Sequence, residues 1–148
     1  MNDPPASQTV PLVVALTPPG RGAIASLLVE DNGELLDRPG LFSAVNGTPV
    51  SEQAIGRVCL GHWGEPPGED VILCRTGPGS LELHCHGGIV PTQRITDDLV
   101  SAGAIESGWS EHLQDRQGTL ETEVAKALAA ATTWTAAAIL LEQQAGVL

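Results

Sequence analysis

Between residues 80 and 102 the hydrophobic pattern changes its period, and that change restricts the chain more than any other feature. In "SLELHCHG" apolar and polar residues alternate strictly, with Leu81, Leu83 and Cys85 on one side and Glu82, His84 and His86 on the other. A period of two is that of a strand with one buried face. Gly87 and Gly88 end it, and Ile95, Leu99 and Ala102 then recur at helical spacing. Pro91 sits in the tolerated first turn and Gly103 marks the exit. The segment must therefore be a half-buried strand that runs straight into a helix.

Gly and Pro clusters cut the chain upstream of this junction into short apolar runs. Residues 1–9 read as a flexible polar leader, followed by a buried strand in "PLVVALT" that stops at Pro18-Pro19-Gly20. "RGAIASLLVED" reads as the next strand, closed by Asn32-Gly33. Leu35, Leu36, Leu41 and Phe42 fit a helical turn that Pro39-Gly40 interrupts, so residues 34–42 stay ambiguous. Asn46-Gly47 is a hairpin signal, and Asn46-Gly47-Thr48 reads as a turn rather than a glycosylation site. "GRVCLGHWG" and "EDVILCRTG" predict two strands around the turn Glu65-Pro66-Pro67-Gly68, with Gly77-Pro78-Gly79 leading into the third.

Downstream, residues 104–118 read as irregular and polar. Thr119 is placed as an N-cap with Glu121 and Glu123 in the first turn. From there the alanine-rich sequence predicts one long helix over 119–148, regular to about Ala145 and about 40 Å long at about 1.5 Å per residue. The expected organisation is a leader at 1–9, a domain over 10–118 and this helix, with the sequence ending as if cut from a longer protein.

A chain of 148 residues is most simply one domain with a short appended element. Its net charge is −11, with Lys126 as the single lysine. Arginines occur singly, so no basic cluster exists to grip a phosphate backbone, and direct nucleic-acid binding is not expected. One Phe, three Trp and no Tyr leave no row of stacking platforms for single strands. Three cysteines, no secretory signal and no apolar run near the roughly 20 residues that span a bilayer predict reduced thiols, a cytoplasmic location and no membrane.

Three kinds of site compete. Glu82, His84 and His86 share a strand face and could offer two nitrogens and an oxygen to a metal, with His62 or His112 as a further ligand; no Cys-x-x-Cys or His-x-x-x-His pair supports this. Cys85 alternates onto the opposite face from its histidine neighbours, which is the wrong geometry for a Cys-His nucleophile and suits a small buried hydrophobe. "TPPGRGAI" and "HGGIVPTQ" are glycine-rich turns: the second opens a helix whose free N–H groups could face an anion, or both merely supply tight turns. A P-loop is excluded, because the only lysine lies inside a helical pattern.

Taken together, "TPPGRGAIASLLVE", "EDVIL", "LELHCHGG" and "SAGA", in that order, resemble the N-terminal domain of the tRNA-modification GTPase family MnmE (TrmE). The match is nearly letter for letter at Thr17 to Gly22 and at Glu82 to Gly88. The final helix looks like the start of that family's helical domain. The resemblance implies an α+β fold, a mixed or antiparallel sheet with packed helices, related to folate-binding domains such as that of the glycine-cleavage T-protein. It also implies binding of 5-formyl- or 5,10-methylene-tetrahydrofolate and homodimerisation, for modification of the tRNA wobble uridine with an MnmG-like flavoprotein partner. GTP hydrolysis would reside in a domain outside these residues, and this chain would not be catalytic alone.

Carried over by position, the pocket residues are Gly20, Arg21, Gly22, Glu82, His84, His86, Gly87 and Gly88. An arginine suits the folate glutamate tail and a carboxylate suits the pterin edge. Two departures stand against that pattern: Arg75 to Ser80 is shortened, and "IESGWSEHLQDRQG" replaces a Pro-Gly-Glu-Phe-type stretch. They leave as the alternative a scaffold that dimerises without binding folate, and behind it a metal-binding domain around His84 and His86.

Overall fold

The computed structural model describes residues 10–18 and 22–146. They form two compact units divided between Ser107 and Gly108. The first unit is a seven-stranded sheet in the order β3-β4-β5-β6-β2-β1-β7 with one helix, α1. Its strands are β1 (Leu12–Ala15), β2 (Ile24–Glu30), β3 (Phe42–Ala44), β4 (Val58–Trp63), β5 (Glu69–Gly77), β6 (Ser80–His86) and β7 (Ile105–Ser107), and α1 spans Ile89–Ser101. Neighbours pair antiparallel, except that β7 joins β1 in parallel. The sheet is thus mixed and the chain α+β, as expected.

Alternation builds the core. Ala15, Leu27, Leu83, Leu73 and Cys59 are successive cross-strand partners from β1 to β4, and from Leu27 to Cys59 all are at most 3% exposed. Ile95 and Leu99 of α1 join the same core, so the helical stripe covers the face that the alternation buries. Trp63, fully buried at the end of β4, donates its indole N–H to Asp98 of α1 at 2.9 Å. One hydrogen bond ties strand to helix while the ring fills the core.

Residues 34–41 settle as turns rather than a helix and Phe42 opens β3, yet the apolar side chains are used: Leu35, Leu36, Leu41 and Phe42 are all buried in this core. Gly61 on β4 makes room for Phe42, since a Cβ there would lie 2.3 Å from the ring. Asn46-Gly47 does turn, with Thr48 N–H donating to Asn46 Oδ1 at 3.0 Å. It does not lead into a second hairpin strand. A short 3-10 turn at Val50–Glu52 follows, because Asp37 accepts from the Val50 and Ser51 N–H groups and buried Gln53 ties back to Asn46 and Thr48.

Two expectations need correction. Residues 104–118 are ordered into β7 and a helix, α2 (Trp109–Gln117). The strand is three residues long and lies at the sheet edge, too short for alternation to reveal it. At the start of α2 the Gly108 N–H donates to Glu111 at 3.0 Å, a cap made three residues downstream.

The single long helix over 119–148 is instead two, α3 (Thr119–Ala129) and α4 (Trp134–Gln144). Thr133 takes an extended backbone and its hydroxyl accepts from Ala136 N–H at 3.2 Å, so it caps α4. Threonine loses side-chain freedom inside a helix and gains a hydrogen bond at its start, and Thr132-Thr133 resolves that competition against continuity. Gly118, not Thr119, is the cap residue of α3. In this second unit α3 packs against α2 and α4. The leader at 1–9 and the final two residues lie outside the described residues.

Candidate functional site

Gly87 and Gly88, at the β6–α1 junction, are held by different constraints. A Cβ on Gly87 would lie 1.9 Å from the carbonyl oxygen of Gly22, so the two glycine-rich loops touch backbone to backbone. The Gly87 N–H donates to the Ala23 carbonyl at 2.9 Å and locks this approach. Gly88 has a φ of 129°, a conformation that side chains rarely adopt. Gly88 caps α1 without a side chain, which leaves the first-turn N–H groups of Ile89 and Val90 without an intrahelical acceptor.

Beside this contact lies a cavity of about 160 Å³. Thr17, Pro18 and Gly22 form one wall, and Gly87, Gly88 and Ile89 another. Ala15 and Ala25 supply apolar surface from β1 and β2, and Ile24, whose side chain alternates to the outer face, borders the rim. Thr92, Gln93 and Thr96 of α1 and Glu106 of β7 supply the polar groups. Sequence reading missed those four residues. Thr96 carried the one available signal, a polar residue next to the apolar stripe of α1, and it is only 4% exposed. Glu106 carried none, because the strand that positions it was invisible.

Glu82, His84 and His86 occupy the opposite face of the sheet. Each histidine there is near a carboxylate: His86 Nδ1 lies 2.5 Å from Glu69, His84 Nε2 lies 3.5 Å from Glu82, and on β4 His62 Nδ1 lies 2.8 Å from Asp70. His84 Nδ1 also pairs with the Ser26 hydroxyl at 2.9 Å. A second depression, of about 230 Å³, is lined here by Ile24, Leu60, Asp70, Ile72, His84 and His86.

The structure therefore divides the site expected from sequence. Gly22, Gly87 and Gly88 meet at the cavity, His84 and His86 line the depression on the other face, and Glu82 lines neither. Gly20 and Arg21 lie outside the described residues. Among the described residues no group of three or more His, Cys, Asp and Glu side chains is arranged to hold a metal ion. The metal alternative thus has no donor set, because each histidine on this face points a ring nitrogen at its own local partner.

Cys85 is 3% exposed, as the alternation requires. Burial pushes its thiol above the ordinary range, opposed in part by the Thr92 side chain and reinforced by Glu69. Burial likewise raises Cys59. A nucleophile needs a lowered pKa and access, and Cys85 has neither. No helix among the described residues is long and apolar enough to cross a membrane.

No protein-family model matches the chain. Curated proteins do. The tRNA modification GTPase MnmE of Prochlorococcus marinus (strain NATL1A) is 27% identical over 114 residues, covering 66% of this chain and 23% of that protein. The protein of the same name from Fervidobacterium nodosum is 34% identical over 105 residues, covering 62% and 22%. That from Flavobacterium psychrophilum is 29% identical over 101 residues, again covering 62% and 22%. The chain spans less than a quarter of the length of these relatives. It is similar to tRNA modification GTPases of the MnmE type, at low identity and over about three fifths of its own residues.

Proposed function

We propose that this chain supplies the one-carbon-donor module of an MnmE-like tRNA-modification protein, its sheet unit binding a tetrahydrofolate derivative, 5-formyl- or 5,10-methylene-tetrahydrofolate. The observation that carries this reading is the convergence of the two marker segments. Gly22 from the first and Gly87 and Gly88 from the second border one cavity, although some 65 residues separate them in the chain. Apolar walls with a few polar groups are what a flat heterocycle needs. Modification of the wobble uridine, GTP hydrolysis and an MnmG-like flavoprotein partner belong in this reading to the longer protein.

The module also pairs with a second copy. Ile24, Val58, Leu60 and Ile72 stand on the outer sheet face at 61%, 65%, 51% and 43% exposure, an apolar group that self-association would cover. That face independently favours the second reading, a dimerising scaffold without folate. Calorimetry with 5-formyl-tetrahydrofolate separates the two. Heat of binding supports the donor module, and none up to millimolar ligand overturns it. Analytical ultracentrifugation tests the shared part, since a monomer at all concentrations removes dimerisation from both.

A further inference from the structure

We propose that the outer sheet face is an acid-strengthened contact between two copies of this chain, closed when His62, His84 and His86 are protonated and loosened when they are neutral. This rests on the dimerising part of the reading above and adds to it what regulates the contact.

Cross-strand pairing sets these groups in rows. Leu60, Ile72, His84 and Ser26 are successive Cα partners from β4 through β5 and β6 to β2. In the row on one side His62 pairs with Asp70, and His86 with Ile24. In the row on the other side Val58 pairs with Cys74, and Cys74 with Glu82. Paired residues of a sheet point to the same side, so ionisable and apolar side chains are interspersed on this face. Glu69 adds a carboxylate from the start of β5: it accepts from the His86 N–H at 3.2 Å and also meets the His86 ring.

The charges on this face are one-sided. Glu69, Asp70 and Glu82 stand beside the three histidines, and Glu30 follows at the end of β2. No lysine or arginine occupies these rows. Arg75 of β5 turns elsewhere, donating to the Ser51 and Gln53 carbonyls. β3 brings only Ser43 beside His62, and β2 brings Ser26, whose hydroxyl pairs with His84.

With neutral histidines the face is anionic, on a chain of net charge −11, and two copies repel. Closing the contact would then strip water from carboxylates that face no cation. Histidine as a class gains its charge between about pH 8 and pH 5. Three cations then stand among these three carboxylates. A two-fold axis can set each sign of one copy against the opposite sign of its partner, while Leu60, Ile72 and Val58 are covered. Association takes up protons, so it strengthens as pH falls.

Sedimentation velocity of the whole chain at pH 8, 7 and 6, in low salt, reads the monomer–dimer constant. Dimerisation should be about tenfold or more tighter at pH 6 than at pH 8. His62→Gln, His84→Gln and His86→Gln combined in one chain should hold the constant near its pH 8 value throughout. Asp70→Asn with Glu82→Gln should instead tighten the dimer several-fold at pH 8. A merely structural role for these side chains would not move affinity in opposite directions. Leu60→Asp should give a monomer at every pH. Circular dichroism and the urea midpoint check that each variant is folded.

Equal dimerisation of wild type at pH 6 and pH 8 overturns the inference and leaves the dimerising reading intact. A pH dependence that survives in the triple histidine variant, or a dimer that persists in folded Leu60→Asp, also overturns it. A monomer at every pH overturns that reading and the inference with it.

Discussion

On the α1 side of β6, Leu81, Leu83 and Cys85 are 0%, 0% and 3% exposed, whereas the other side presents Glu82, His84 and His86 in shallow polar pairs. The same seven-residue strand makes a closed core on one face and a titratable surface on the other. Their energetics differ accordingly. Core residues act through the transfer of apolar area and through tight packing, which tolerate no loss of volume. Exposed histidine–carboxylate pairs gain little, because water and salt screen them and two side chains must be held still. Proximity to a family marker therefore says little about where binding happens: the glycines at the end of the strand border the cavity under α1, and the histidines do not.

The largest test of this contrast is a pair of adjacent truncations. Leu83→Ala should cost about 2–5 kcal/mol, while His84→Ala should cost less than about 1 kcal/mol, both from urea unfolding. Similar losses would mean that the outer face is covered and not open. Next comes Gly87→Ala, whose Cβ would strike the Gly22 carbonyl. Separating the two loops should cost about 1–3 kcal/mol and displace the amide resonances of Gly22 and Gly88, with the ring signals of His62 unmoved. Shifts spread over both faces would deny that the cavity is a separate site.

The smallest effect is chemical. Thiol reagents should modify half-buried Cys74 before Cys59 and Cys85, whose thiols burial holds above the ordinary value of 9.0. A group with a raised folded pKa keeps its proton longer folded than unfolded. Its share of stability is present below 9.0 and falls as pH climbs beyond it. The urea midpoint, followed from pH 8 to pH 10, should decline. A midpoint that rises over this range would contradict the burial of both thiols.

How legible each part was follows from how local its cause is. β4, β5, β6 and α1 appeared in the sequence because alternation, glycine–proline turns and a helical stripe are properties of neighbouring residues. β7 did not, since three residues become a strand only when β1 offers its edge. The break between α3 and α4 was hidden by a different balance: alanine propensity favoured continuity, and the Thr133 cap, worth about 1 kcal/mol, favoured a second start. At the site, the glycines could be named from their motifs, while Thr96 and Glu106 could not, because nothing local marks them as neighbours.

"LELHCHGG" by itself determined a half-buried strand, a hidden thiol and a strand-to-helix junction, since a period of two and a pair of glycines permit little else. Only the tertiary structure decided which side of that junction holds a cavity. That choice depends on Gly22 meeting Gly87 backbone to backbone, and on an edge strand bringing Glu106 to the border of the cavity. These contacts join residues far apart in the chain, and their energy comes from packing that no local pattern records.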